Sequence, residues 1–107
     1  MTAVGLIETH DITIDKKTAT GLKVNLQGAP LLLISAPNGY LMCGYLNLET
    51  AERLGQVAVI VTSVKSFDDA LNAKVAKATT KARALGINEG IVGREALKRM
   101  LREPVGP

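Results

Sequence analysis

The sequence predicts an α+β fold: a mixed, largely antiparallel sheet with helices on one face and an N-terminal β region used for oligomerisation. Three observations predict it. Apolar residues alternate with polar ones through the first third of the chain, the period of half-buried strands. Later they recur every three or four residues, the period of amphipathic helices. The 107 residues, 47% hydrophobic and 21% charged, suit one globular domain and are too few for two independent cores. Strands first and helices last is the order of an α+β domain. Residues 1–107 are read as that single domain, with residues 1–28 as the N-terminal β region and residues 29–103 as an α/β core.

The first strand carries Ile12 and Ile14 between Asp11, Thr13 and Asp15. After a polar turn at Lys16–Lys17, Leu22, Val24 and Leu26 alternate with Lys23, Asn25 and Gln27. Such a pair is marginal in water by itself, so it must lie on the rest of the domain or on another subunit. Gly28-Ala29-Pro30 breaks the pattern, and Leu31–Ser35 is a continuous apolar strand of the kind found at a sheet centre. Pro37-Asn38-Gly39 is a turn: proline presets φ, and Asn and Gly accept positive φ. The strand Tyr40–Leu46 therefore returns antiparallel to Leu31–Ser35.

Asn47 is a helix N-cap, Glu49 suits the first turn, and Leu48, Ala51 and Leu54 mark about two turns ending at Gly55. Val57–Val64 follows as a buried strand, making Tyr40–Val64 a β-α-β unit. Ser66-Phe67-Asp68-Asp69 reads as a variant capping box. From it Phe67, Leu71, Val75, Ala78, Ala82 and Leu85 form a stripe that predicts one long helix, or two collinear pieces, ending at Gly86. A last helix over Arg94–Arg102 places Leu97, Met100 and Leu101 on one side and ends before Pro104 and Pro107.

Composition excludes several function classes. Apolar runs such as Leu31–Ile34 and Val57–Val61 fall far short of the ~20 residues of a membrane-spanning helix, and Met1–Leu6 shows no secretory signal pattern. A cytoplasmic location is expected, because the single Cys43 cannot form an intrachain disulfide. One cysteine and one histidine, His10, cannot supply a four-ligand zinc site, and no cofactor motif is present. The net charge of +3 is too mild to argue for nucleic acid. Lys74, Lys77 and Lys81 would share one helix face, and Lys98, Arg99 and Arg102 would add a basic patch. Without aromatic residues among them, these read as solvated surface first and as a phosphate-binding face second.

Chemistry concentrates in Asn38, Gly39, Tyr40, Cys43, Gly44, Tyr45 and Asn47. That stretch holds the cysteine and both tyrosines. Gly44 inside a strand suggests a bulge or a close backbone approach. Tyr45 and Asn47 lie near a helix N-terminus, where free N–H groups favour an anion. Cys43 is the candidate catalytic residue, although a cysteine in an apolar strand is most often an inert core group. Its base would have to be His10, brought near across a fold or subunit boundary. Gly86, Gly90 and Gly93 before Arg94 lack any established phosphate-loop spacing and read as helix-end glycines.

The run Gly39-Tyr40-Leu41-Met42-Cys43-Gly44-Tyr45-Leu46-Asn47, then Ala51-Glu52-Arg53-Leu54-Gly55, Phe67-Asp68-Asp69, Leu85-Gly86-Ile87 and Gly93-Arg94-Glu95-Ala96-Leu97, resembles the bacterial and archaeal YunC-like proteins, domain-of-unknown-function family 1805. The Met-Cys-Gly run is the most specific part. The resemblance implies a small α/β domain whose N-terminal β region mediates tetramerisation, and it brings no catalytic residue with it. The expected function is that of a homo-oligomeric binding or assembly domain, tetramer preferred, with a small-molecule pocket near Tyr40–Asn47. The alternatives are a cysteine-dependent enzyme or thiol redox protein using Cys43, and a weak nucleic-acid binder using the lysine face.

Overall fold

The computed structural model describes residues 6–102. The N-terminal residues read above for a signal pattern, Leu6 apart, and the terminal Pro104 and Pro107 lie outside them. The described chain runs β1 (Ile7–Ile14), β2 (Lys17–Asn25), β3 (Pro30–Ala36), β4 (Gly39–Met42), α1 (Leu48–Arg53), β5 (Ala58–Ile60), α2 (Phe67–Asn72), β6 (Lys77–Ala78), α3 (Thr80–Ala84) and α4 (Gly93–Met100). Among the described residues the strands form one six-stranded sheet in sequence order. Every neighbouring pair is antiparallel except β4 and β5, which run parallel. The α+β class and the β-α-β unit thus follow the sequence reading.

The β1–β2 hairpin turns at Asp15-Lys16, one residue earlier than the polarity suggests, with φ of 51° and 70° at the two positions. Two positive φ values are those of the type I′ turn, whose twist matches a tight hairpin. The resulting register sets Ile12 opposite Ala19 and Leu22 opposite Thr9. Side chains of paired residues share a face, so the apolar sets of the two strands point to opposite sides of the sheet.

One side is the core. Ile12, Ile14, Ala19, Leu32, Ile34, Leu41, Val59 and Val61 share a buried cluster with Ala70 and Leu71 of α2 and with Ala96, Leu97 and Met100 of α4. Helix α4 starts against α2 so closely that a Cβ at Gly93 would lie 2.2 Å from the Ala70 carbonyl oxygen. Gly21, in the middle of β2, has a similar role. A Cβ there would stand 2.8 Å from both Ile12 Cδ1 and Phe67 Cε1. The chain's only phenylalanine therefore seats α2 on the hairpin through a glycine. Ala58 and Ile60 alternate with Val59 and are also buried, on the far side, where α1 lies against β5 and buries Ala51.

The long helix expected over Phe67–Leu85 is corrected. Helix α2 ends at the extended Ala73, and α3 begins after its N-cap Thr79. Between them the backbone is used by other segments. Ala76 and Thr79 donate to the carbonyls of Ile60 and Ala58, and Val75 donates to Ile91. The stripe still marks burial at Leu71, Val75, Ala78 and Ala82, but a short edge strand delivers part of it. With the helix goes the basic face. Lys74 lies in a bridge to Val92, Lys77 in β6 and Lys81 in α3, so no one element aligns the three.

Strands β4 and β5 are shorter than the apolar runs Tyr40–Leu46 and Val57–Val64, because the chain turns at Cys43 and leaves the sheet after Ile60. Asn47 caps α1 as expected, accepting from the Thr50 N–H at 3.1 Å. Ser66 accepts from the Asp69 N–H at 3.0 Å, and the Asp69 carboxylate accepts from Lys65 N–H rather than from the cap residue.

Candidate functional site

The seven candidate residues divide between two cavities and a helix cap. Asn38, Gly39 and Tyr40 line an open cleft of about 630 Å³. Cys43, Gly44 and Tyr45 line a second hollow of about 500 Å³ with Ser63, Val64 and Lys65. Asn47 belongs to neither and is occupied as the α1 cap.

Around Cys43 the backbone explains the thiol. The Cys43 N–H donates to the Leu32 carbonyl at 3.1 Å, continuing the β3–β4 ladder. Its own carbonyl turns away to accept from Leu46 N–H at 3.1 Å. The Leu32 N–H then donates to Cys43 Sγ at 3.3 Å. The sulfur thus replaces a ladder acceptor that the turn removes. Gly44 lies in that turn, outside the strand, and a Cβ on it would meet nothing within 4 Å. The close approach expected at Gly44 occurs at Gly21 instead.

His10 is not near. It sits on β1, three strands from β4, a lateral separation of about 14 Å at the usual strand spacing. Its Nε2 lies 3.5 Å from Glu8, and its ring stands edge-on to Phe67 at 5.4 Å. The Cys43–His10 pairing is therefore not made within the chain. The Asn25 amide and His10 together hold the Glu8 carboxyl below its ordinary range. Among the described residues no group of three or more His, Cys, Asp or Glu side chains is arranged to hold a metal ion.

The larger cleft is built by three tight arrangements. Gly39, with φ of 149°, lets β4 press on β5: a Cβ there would fall 2.6 Å from Val57 Cγ1. The β3–β4 turn is tied to the end of α4, where Asn38 N–H donates to the Met100 carbonyl at 3.1 Å and the Asn38 side-chain amide donates to the Arg102 carbonyl. These bonds satisfy carbonyls that a helix end leaves open. The Tyr40 hydroxyl donates to Gln56 Oε1 at 2.6 Å, and burial raises the phenol above its ordinary pKa, keeping it a neutral donor. Gln56 is held in turn by Thr79, whose fully buried hydroxyl donates to the Gln56 carbonyl at 2.7 Å and accepts from Ala58 and Ala82 N–H.

Leu85, Arg99 and Arg102 complete the wall. Sequence reasoning read the arginines as solvated surface first and as a phosphate-binding patch second, and did not join them or Leu85 to the Asn38–Tyr40 segment. The signal was the i, i+3 spacing of two arginines at a helix end, and it acquires meaning only when the β3–β4 turn docks there. The glycine loop before α4 holds no free cradle at its key positions: the N–H groups of Gly90 and Gly93 are taken by the carbonyls of Val75 and Ala73.

Comparison with known proteins agrees with this architecture. The chain is 31% identical over 101 residues to an uncharacterized protein, YunC, of Bacillus subtilis (strain 168), covering 91% of this chain and all of that protein. Its fold is similar to the crystal structure of a protein of unknown function, TA1206, from Thermoplasma acidophilum, with a TM-score of 0.85 and 42% identity over 89% of this chain and 93% of that one. The profile described as "Domain of unknown function (DUF1805)" matches residues 42–100, which run from the end of β4 through α4. With more than half its length inside that profile and a relative aligned along nearly all of it, the chain belongs to the DUF1805 family.

Proposed function

We propose that this protein is a cytoplasmic homo-oligomer, tetramer preferred, acting as a binding or assembly domain without catalysis of its own. The observation that carries the reading is the side of the sheet that, among the described residues, α1 covers only at its β5 end. Leu22, Leu33 and Met42 stand in one cross-strand row, and Val24 and Leu31 stand in the next. All five are half-buried, and Ile7 at the end of the second row is 62% exposed. Helices α2 and α4 pack on the other side.

A second copy suits this face better than a charged partner. Its neighbouring positions in β1–β3 are Thr9, Thr13, Thr18, Thr20 and Ser35, with Asp11 among them. Two such faces meet with little like-charge repulsion, as a self-complementary interface requires. Ser35 and Tyr40 are paired on this same side and also line the larger cleft, which supports a binding site bordering the interface. A single free thiol suits a reducing compartment.

Native mass spectrometry tests the reading. A tetramer is expected, with any bound small molecule seen as added mass. A monomer at micromolar concentration overturns it.

A further inference from the structure

We infer that the cleft between the β3–β4 turn and the end of α4 binds a small organic acid, its carboxylate held by Arg99 and Arg102 and its apolar body lying against Leu85 and Val57. The inference deepens the binding half of the function proposed above and is independent of the assembly half.

The charge balance argues first. The described residues lining the cleft include two arginines and no carboxylate. Elsewhere on α4 the balance differs: Lys98 has Asp15 at 3.3 Å and Glu95 at 3.8 Å. Neither Arg99 nor Arg102 forms an ion pair among the described residues. Among the described residues, the cleft thus gathers positive charge with no carboxylate paired to it.

Arg99 is also pre-positioned. Its Nη1 lies where it would be 2.8 Å from a Cβ on Gly86, so glycine leaves room for the guanidinium. The same nitrogen reaches the Leu85 carbonyl only at 3.5 Å. Arg99 Nε is buried and has no acceptor among the described residues. A buried donor without a partner is unfavourable, so a turn of the guanidinium that brings Nε to an anionic oxygen in the cleft gains a charge-assisted bond that the described residues do not make.

The rest of the cleft selects the body of the ligand. A volume of about 630 Å³ lies within the range of small-molecule sites and is far larger than a bare phosphate needs. Leu85 and Val57 supply apolar surface, and the Tyr40–Gln56 pair supplies a fixed polar edge. Apolar walls with a few placed polar groups are the usual make-up of a site for an organic molecule.

The test is titration of the ¹⁵N-labelled full chain with benzoate, benzamide and inorganic phosphate, followed by NMR. Benzoate is expected to shift the amides of Gly39, Gln56 and Leu85 and the Arg99 Nε–H signal, and benzamide to shift them far less. Arg102→Gln, at an exposed position, is expected to weaken benzoate roughly tenfold without lowering the melting temperature, and Arg99→Gln at least as much. Equal shifts with benzamide, shifts with phosphate alone, or no shifts at millimolar benzoate each overturn the inference. Sedimentation of the same samples reports assembly separately, so failure of the interface is read apart from failure of the site.

Discussion

On one side of the sheet Ile34, Leu41 and Val59 are fully buried, sharing a core with Leu97 and Met100 of α4 and Ala70 of α2. On the other side, in the same central strands, Leu33 and Met42 remain half-buried, as does Leu22 beside them. The residue types are nearly the same, so the difference does not come from hydrophobicity. It comes from where the helices fall. The segments after β5 return α2 and α4 to one side, while the two-turn α1 covers only the β5 end of the other. The comparison separates residues that hold the monomer from residues available to hold an assembly.

The strongest way to break the comparison is from the covered side. Leu97→Ala removes a fully buried side chain and is expected to cost about 2–5 kcal/mol in urea unfolding, while leaving the mass of the proposed assembly unchanged as long as the chain is folded. Leu33→Glu is the converse. It should dissociate the proposed assembly in sedimentation, removing up to about 1.5–3 kcal/mol of burial per side chain, with a circular dichroism spectrum like that of the unmodified protein. Equal loss of monomer stability in both variants would remove the distinction between the faces.

Two glycines sharpen it. Gly21→Ala should cost about 1–3 kcal/mol through overpacking against Ile12 and Phe67, measured by the shift in unfolding midpoint. Gly44→Ala, where a Cβ meets only open space, should stay within about 0.5 kcal/mol.

The smallest effect is at the margin of the core. Glu52 accepts the Thr80 N–H at 2.9 Å, and that bond lowers its carboxyl below the ordinary 4.5. A carboxyl depressed in the folded state binds its proton more readily when unfolded. Its contribution is therefore full above pH 4.5 and is lost as the pH falls through the lower folded value. Glu52→Gln should lower the melting temperature slightly above pH 4.5 and leave it nearly unchanged in strong acid, so that the acid limb flattens.

Much of the fold was legible in local sequence. The caps Asn47 and Ser66, the turn at Pro37–Gly39 and the central strand of Leu31–Ser35 each follow from short-range chemistry that any context preserves. The segment 73–79 was not legible. Val75, Ala78 and Ala82 are spaced for a helix, but the N–H groups of Val75, Ala76 and Thr79 donate to the carbonyls of Ile91, Ile60 and Ala58 on other segments. The paired Thr79-Thr80 was the available hint, since threonine caps a new helix better than it continues an old one. For the candidate site, Asn38, Gly39 and Tyr40 could be named from composition alone. Arg99 and Arg102 could not, because their role depends on docking α4 beneath a turn some 60 residues earlier in the chain.

The sequence by itself determined the class of fold, the order of most elements and the presence of two strand-borne apolar sets in the N-terminal hairpin. These depend on periodicity, capping and turn chemistry, which act over a few residues. Tertiary structure decided which side of the sheet each set occupies, through the register of a type I′ turn. It also converted the expected helix into a helix, an edge strand and a second helix. Finally, it gathered two arginines, a tyrosine and a glutamine into one cleft, because long-range hydrogen bonds and helix docking act between residues whose distance in sequence carries no sign of their nearness in space.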